Sequence, residues 1–96
     1  MTDHVISREQ TGPAGRYTIR HGEAEAELTF TLISPTLISA DHTGVPDAFR
    51  GTGAGVALVT RMVEDARVKG FKIVPSCPFV NAQRLRHSDW ADAFQA

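Results

Sequence analysis

The stretch from Ala24 to Leu32 constrains this chain most: Ala24, Ala26, Leu28, Phe30 and Leu32 alternate with Glu25, Glu27, Thr29 and Thr31. A period of two puts the apolar set on one side of an extended strand and the polar set on the other. That is the pattern of an antiparallel sheet with one packed and one wetter face. Arg16 to Arg20 supplies a neighbouring strand with Tyr17 and Ile19 directed inward, and His21-Gly22-Glu23 the turn between them. Ser34-Pro35-Thr36 breaks the run, and Leu37 to Val45 begins a third extended segment. Residues 1–15 hold Thr11, Gly12, Pro13 and Gly15 with no sustained period. They are expected to be a flexible lead-in, leaving 16–96 as the folded domain.

Beyond Pro46 the period changes. Between Gly53 and Lys69, Val56, Val59, Val63 and Ala66 recur at helical spacing with Leu58 and Met62 beside them. Arg61, Glu64, Asp65 and Lys69 take the polar sides, Asp65 and Lys69 as an acid-before-base pair four apart. Gly70 is suited to end the helix in a left-handed conformation. Phe71 to Val74 is a short apolar run stopped by Pro75, which fits a buried strand parallel to the third with the helix as crossover. A second helix is expected over Phe79 to Arg86, with Asn81 or Pro78 near its start. Trp90 and Phe94 are spaced for a last helical turn packed on the sheet. The order predicts an α+β fold: antiparallel strands, then one βαβ unit, then a C-terminal helix.

Composition narrows the function classes. Ninety-six residues make one domain, and 42% hydrophobic with 22% charged residues is ordinary for a soluble one. Ten basic against eleven acidic residues, without a long basic run, argue against nucleic-acid binding. The single cysteine, Cys77, cannot form an internal disulfide. Four histidines without close pairing give no metal signal. Met1 to Gln10 lacks the apolar core of a signal peptide, and no segment approaches the roughly 20 apolar residues that span a bilayer. A cytoplasmic location without membrane attachment is the expectation.

Arg50-Gly51-Thr52-Gly53-Ala54-Gly55 lies between a strand and a helix. Glycines at that density cost a regular helix about 1 kcal/mol each relative to alanine. They suit a backbone that curls tightly, points several N–H groups into one concavity and sets them before a helix dipole. Such a site fits phosphate, and Arg50 can add a charge-assisted bond. A glycine-rich helix start without a ligand is the plainer alternative. No Lys-Ser or Lys-Thr follows, so the turn is not a Walker A loop. In the dinucleotide register Val56 occupies the last glycine position, and the ribose-binding acid is missing near residue 70.

The turn resembles the R/Q-x-x-G-x-G/A motif of the GNAT acetyltransferase superfamily. With His42-Thr43 and Val45-Pro46 upstream and Pro75-Ser76-Cys77-Pro78-Phe79-Val80 downstream, the chain is similar to a family of short GNAT-like domains from about Tyr17 to Trp90. That resemblance implies acetyl-coenzyme A as cosubstrate, no metal, and a small amine or peptide amine as acceptor. It implies a pyrophosphate held by Arg50, Gly51, Thr52, Gly53, Ala54 and Gly55. The pantetheine arm would lie in a splayed gap between strands ending near Val45 and Val74, paired with the backbone at Val45. Asn81 would bond the cofactor's linker, and Arg84 or Arg86 its adenosine phosphate. The family usually carries an acidic residue where this chain has Gly44.

Acyl transfer also needs an oxyanion donor, for which an N–H near Val45 is the candidate. Cys77, just past the last strand, is the candidate catalytic residue, either as a nucleophile or as an acid for departing coenzyme A. Its alternative is a buried filler. His42 is placed on the face of Ile38 and Ala40, as a base or a structural histidine, while Asp41 and Thr43 face the other way. An acetyltransferase is the leading expectation. A non-catalytic acyl-coenzyme A binding or sensing module comes next, and a structural interaction domain last.

Overall fold

A computed structural model describes residues 4–95. Five strands lie in sequence order across one sheet: β1 (Ile6–Thr11), β2 (Ala14–His21), β3 (Ala24–Ser34), β4 (Leu37–Gly44) and β5 (Lys72–Val74). The first four pair antiparallel and β5 joins β4 in parallel. A 3₁₀ turn, Asp47–Phe49, and helix α1 (Ala54–Lys69) connect β4 to β5. Helix α2 (Pro78–Arg86) and a second 3₁₀ segment, Ser88–Ala93, follow. The α+β order expected from the sequence is the one observed.

Residues 1–15 depart from expectation. Ile6–Thr11 is a sheet strand, paired from Ile6 opposite Ile19 to Thr11 opposite Ala14, and Gly12 turns the chain at φ +60°. The strand has no clean alternation because an edge strand buries little. The guanidinium of Arg8 lies over the rings of Phe30 and Tyr17, 4.9 and 5.7 Å from their centroids. A charged residue therefore takes a place where a pattern reader looks for an apolar one. The first three residues of the expected lead-in, and Ala96, lie outside the described residues.

The packed face is the one the alternation marked. Tyr17, Ile19, Ala26, Leu28, Phe30, Ile38 and Ala40 are buried against Leu58, Val59, Met62, Val63 and Ala66 of α1. The expected stripe is buried at Val59, Val63 and Ala66 with Leu58 and Met62 beside it, and only Val56, 37% exposed, falls outside it. Asp65 pairs with Arg61 at 3.7 Å rather than with Lys69, and accepts a 2.8 Å bond from the hydroxyl of the buried Tyr17. That bond satisfies the one polar atom of an otherwise apolar ring. Burial, together with the Asp65 carboxylate, pushes the Tyr17 pKa well up.

Gly70 ends α1 at φ +79°, and Phe71 drops directly into the core. The C-terminal segment is pinned where Arg67 grips Asp92 through Nε and Nη2 at 3.1 and 2.8 Å. Trp90 and Phe94 are buried as expected, and Phe94 bridges to Ile73 of β5.

Gly15 shows how close the packing is. A Cβ there would stand 2.6 Å from Cε1 of Phe30 and 2.8 Å from the Glu9 carbonyl oxygen. Gly15→Ala is therefore expected to cost about 1–3 kcal/mol of unfolding free energy in a denaturant titration. Trimming the ring in Gly15→Ala, Phe30→Leu should make the double variant less destabilised than the sum of the two singles. Strict additivity would show that the ring is not what the glycine accommodates.

Candidate functional site

The site is built where β4 and β5 part. They pair from Leu37 with Lys72 to Ser39 with Val74, and one more bond runs from the Cys77 N–H to the Ala40 carbonyl at 2.8 Å. Pro75 follows Val74 directly and supplies no N–H, while β4 runs on to Gly44. The expected gap between the ends of these strands is present.

A β-bulge decides which side chains face it. The register against β3 shifts between Thr29 opposite His42 and Phe30 opposite Ala40, so Asp41 is the extra residue. Its insertion reverses the alternation beyond it. His42 therefore does not share the face of Ile38 and Ala40, as the sequence suggested; it is exposed beside Asp41 on the outer face. Thr43, expected to face with Asp41, shares the inner face with its partner Leu28, and its hydroxyl stands 3.4 Å from Cys77 Sγ. Asp41 accepts bonds from Thr31 and Ser39 at 2.6 and 2.7 Å. Ser39 in turn meets Ser76 at 2.9 Å, tying β4 to the segment after β5 at the base of the gap.

Cys77 is the N-cap of α2, with Pro78 in the first helical position, where its missing N–H costs nothing. Only 3% of the residue is exposed. Burial works to raise the thiol pKa. Against it, the Thr43 hydroxyl at 3.4 Å and the nearby backbone N–H groups of Val80, Phe79 and Thr43 favour the thiolate, and the net pKa lies below the ordinary cysteine value.

The glycine turn closes on the same gap. Gly51 and Gly53 are left-handed, at φ +79° and +73°, a conformation open to glycine at little cost. Thr52 donates both its amide and its hydroxyl to the Phe49 carbonyl, at 3.0 and 2.6 Å, and its carbonyl meets His4 Nε2 at 2.9 Å. Its side chain therefore shapes the turn, and the Ala54 N–H is taken by the Thr52 hydroxyl at 3.3 Å. Among the described residues the amides of Gly51, Gly53, Gly55 and Val56 have no partner, nor has that of Val45. Arg50 extends into solvent, held only by Asp47 at 3.6 Å.

Gly55 does something the sequence did not reveal. A Cβ on it would stand 2.8 Å from Phe79 Cζ and 3.4 Å from Val45 Cγ2. Its bare backbone lets the start of α2 and the end of β4 close on the start of α1. Asn81 and Arg84 meet one turn along α2, where Arg84 donates to Asn81 Oδ1 through Nε and Nη2 at 3.1 and 2.8 Å. Arg86 is exposed near the end of that helix. His87 caps it: Nδ1 meets the Gln83 carbonyl at 2.9 Å and the ring stacks on Trp90 at 3.9 Å.

The structure thus brings Val45 and Phe79 against Gly55, and Thr43 against Cys77, at the end of β4. Glu27 stands opposite Gly44 on β3, a place that depends on register and that no motif marks. Among the described residues no group of three or more histidine, cysteine or acidic residues could hold a metal. None of their helices is long and apolar enough to cross a membrane.

Comparison with known proteins agrees with this geometry. Residues 16–93 match the sequence profile of the GCN5-related N-acetyl-transferase family. A GCN5-like protein of Staphylococcus aureus, provisionally described as an N-acetyltransferase and solved by NMR in solution, superposes with a TM-score of 0.74 at 31% identity. The alignment covers 100% of this chain and 92% of that one. Comparison with curated proteins gives no match. The chain belongs to the GCN5-related N-acetyltransferase family.

Proposed function

We propose that this protein binds acetyl-coenzyme A at the opening between β4 and β5 and transfers the acetyl group to an amine by way of Cys77. What supports this reading is a run of unpaired turn amides before α1, whose Gly55 packs on Phe79 of the helix that Cys77, a thiol of lowered pKa, begins. The pyrophosphate sits on the N–H groups of Gly51, Gly53, Gly55 and Val56 at the positive end of α1, with Arg50 swinging in from solvent. The pantetheine arm follows the open edge of β4 past Val45, and Asn81 and Arg84 reach the distal part of the cofactor from α2.

Near neutral pH a thiol with a lowered pKa serves better as a nucleophile than as an acid, which favours the covalent route. The Cys77 thiolate attacks the thioester carbonyl. A bond forms between Sγ and the acetyl carbon, the bond to the coenzyme A sulfur breaks, and coenzyme A leaves as the thiolate and takes a proton from water. The amine then attacks acetyl-Cys77, the new C–N bond replaces C–S, the surplus proton passes to a base, and the Cys77 thiolate returns. The free Val45 N–H is the candidate donor to the oxyanion in both steps.

A non-catalytic acyl-coenzyme A binding module is the second reading, favoured by the missing side chain at Gly44. It predicts binding without turnover, and no acetylated protein.

Calorimetric titration with acetyl-coenzyme A should show saturable binding by the wild type. Binding should weaken tenfold or more in Arg50→Ala, Gly53→Val, from the loss of one charge-assisted bond and of the left-handed turn. Circular dichroism checks that the variant is folded. No binding by the wild type would leave the turn as architecture.

Cys77→Ala should keep that affinity and lower transfer by about two orders of magnitude or more. Wild type incubated with acetyl-coenzyme A should gain the mass of one acetyl group on Cys77. Turnover unchanged by the substitution would remove the cysteine from the mechanism.

The pH dependence follows from the direction of the thiol shift. Acylation needs the thiolate, so its rate falls as pH drops through a pKa below the ordinary value of about 8.5. Thr43→Val removes a hydrogen bond to the thiolate and should move that limb to higher pH. An unmoved limb would show that another group governs it.

A further inference from the structure

We infer that His4, just ahead of β1, is a positioning residue for the cofactor: it holds the Thr52–Gly53 peptide so that the Gly53 N–H faces the pyrophosphate. The inference rests on the acetyl-coenzyme A binding proposed above. It assigns that binding a residue outside 16–93, the stretch that matches the family. The observation behind it is the 2.9 Å contact of His4 Nε2 with the Thr52 carbonyl, which joins residues 48 positions apart. Nε2 is the donor in this contact, since a carbonyl oxygen only accepts.

The turn needs such a hold. Gly51 and Gly53 both sit at positive φ, and glycine passes between backbone regions with little hindrance, so the peptide planes beside them rotate readily. Three planes run from Gly51 to Ala54. The first is fixed by the Thr52 N–H, bonded to the Phe49 carbonyl at 3.0 Å. The third is fixed twice: the Gly53 carbonyl accepts from the Ala57 N–H at 2.9 Å, and the Ala54 N–H donates to the Thr52 hydroxyl at 3.3 Å. The middle plane carries the Thr52 carbonyl and the Gly53 N–H. Among the described residues its one hydrogen-bond partner is His4. A trans peptide is planar, with its C=O and N–H pointing opposite ways. Holding the carbonyl toward His4 therefore turns the Gly53 N–H to the far side of the turn, away from the imidazole.

His4 is itself placed by the sheet. Ile6 pairs with Ile19, and the same register carried two residues outward sets His4 beside His21 at the end of β2. The His21 ring packs on Phe49, with centroids 6.0 Å apart, and Phe49 is the buried residue whose carbonyl anchors Thr52. The ends of β1 and β2 thus bear on the carbonyls of the turn and leave its free amides to an anion. Donors fixed in advance bind more tightly, because less ordering remains to be done on binding.

The test compares the wild type with His4→Leu, which has no donor, and with His4→Gln, whose side-chain amide offers an N–H at similar reach. In calorimetric titration His4→Leu should bind acetyl-coenzyme A about three- to tenfold more weakly, the range for one hydrogen bond, and His4→Gln within about twofold of the wild type. NMR relaxation of the backbone amides without ligand supplies the second reading, because a general loosening of β1 would not single out one amide. The Gly53 N–H should lose order in His4→Leu and regain it in His4→Gln, with the amides of Ile6–Thr11 unchanged. Equal affinity in the wild type and His4→Leu would overturn the inference and leave the proposed function standing. So would weaker binding that comes with loosened β1 amides and an unmoved Gly53. A wild type that binds no acetyl-coenzyme A would overturn both.

Discussion

The extra residue at Asp41 is the feature on which the rest of the site depends. An antiparallel pair in strict alternation would send Thr43 outward with Asp41 and leave His42 beneath α1. One inserted residue reverses the phase after Ala40, so the end of β4 presents a hydroxyl to the thiol and an imidazole to the outer face. The parallel partner of β4 ends at Val74 because Pro75 follows it. Bulge and proline together leave several residues of strand with a free edge. An unpaired strand edge inside a fold is costly unless something accepts its hydrogen bonds, and a bound chain of amide groups such as a pantetheine arm is of the right kind.

Two helix starts frame that edge, and both are held close by small or constrained residues. Gly55 lets Phe79 come within contact distance of α1, and Pro78 begins α2 without wasting an amide. The starts of both helices carry positive dipole ends, so the opening is electropositive along the turn and around Cys77. The outer face of the sheet bears more carboxylates than guanidiniums. Backbone dipoles at the helix starts and the outward carboxylates of β3 thus give the two sides of the sheet opposite electrostatic character.

Much of this was legible in the sequence because it follows from period and glycine placement. The alternation at 24–32 marked the packed face, Gly70 marked the helix end, and the 50–55 glycines marked the left-handed turn before α1. Three things were not legible. Ile6–Thr11 failed to read as a strand because Arg8 takes a core-facing place that is apolar in most strands, stabilised there by two aromatic rings. The bulge has no residue signature, so the facings assigned to His42 and Thr43 were reversed, while Asp41 points outward as expected. Gly55 read only as part of the glycine turn, because its nearness to Phe79 and Val45 is a fact about how α2 and β4 pack on α1.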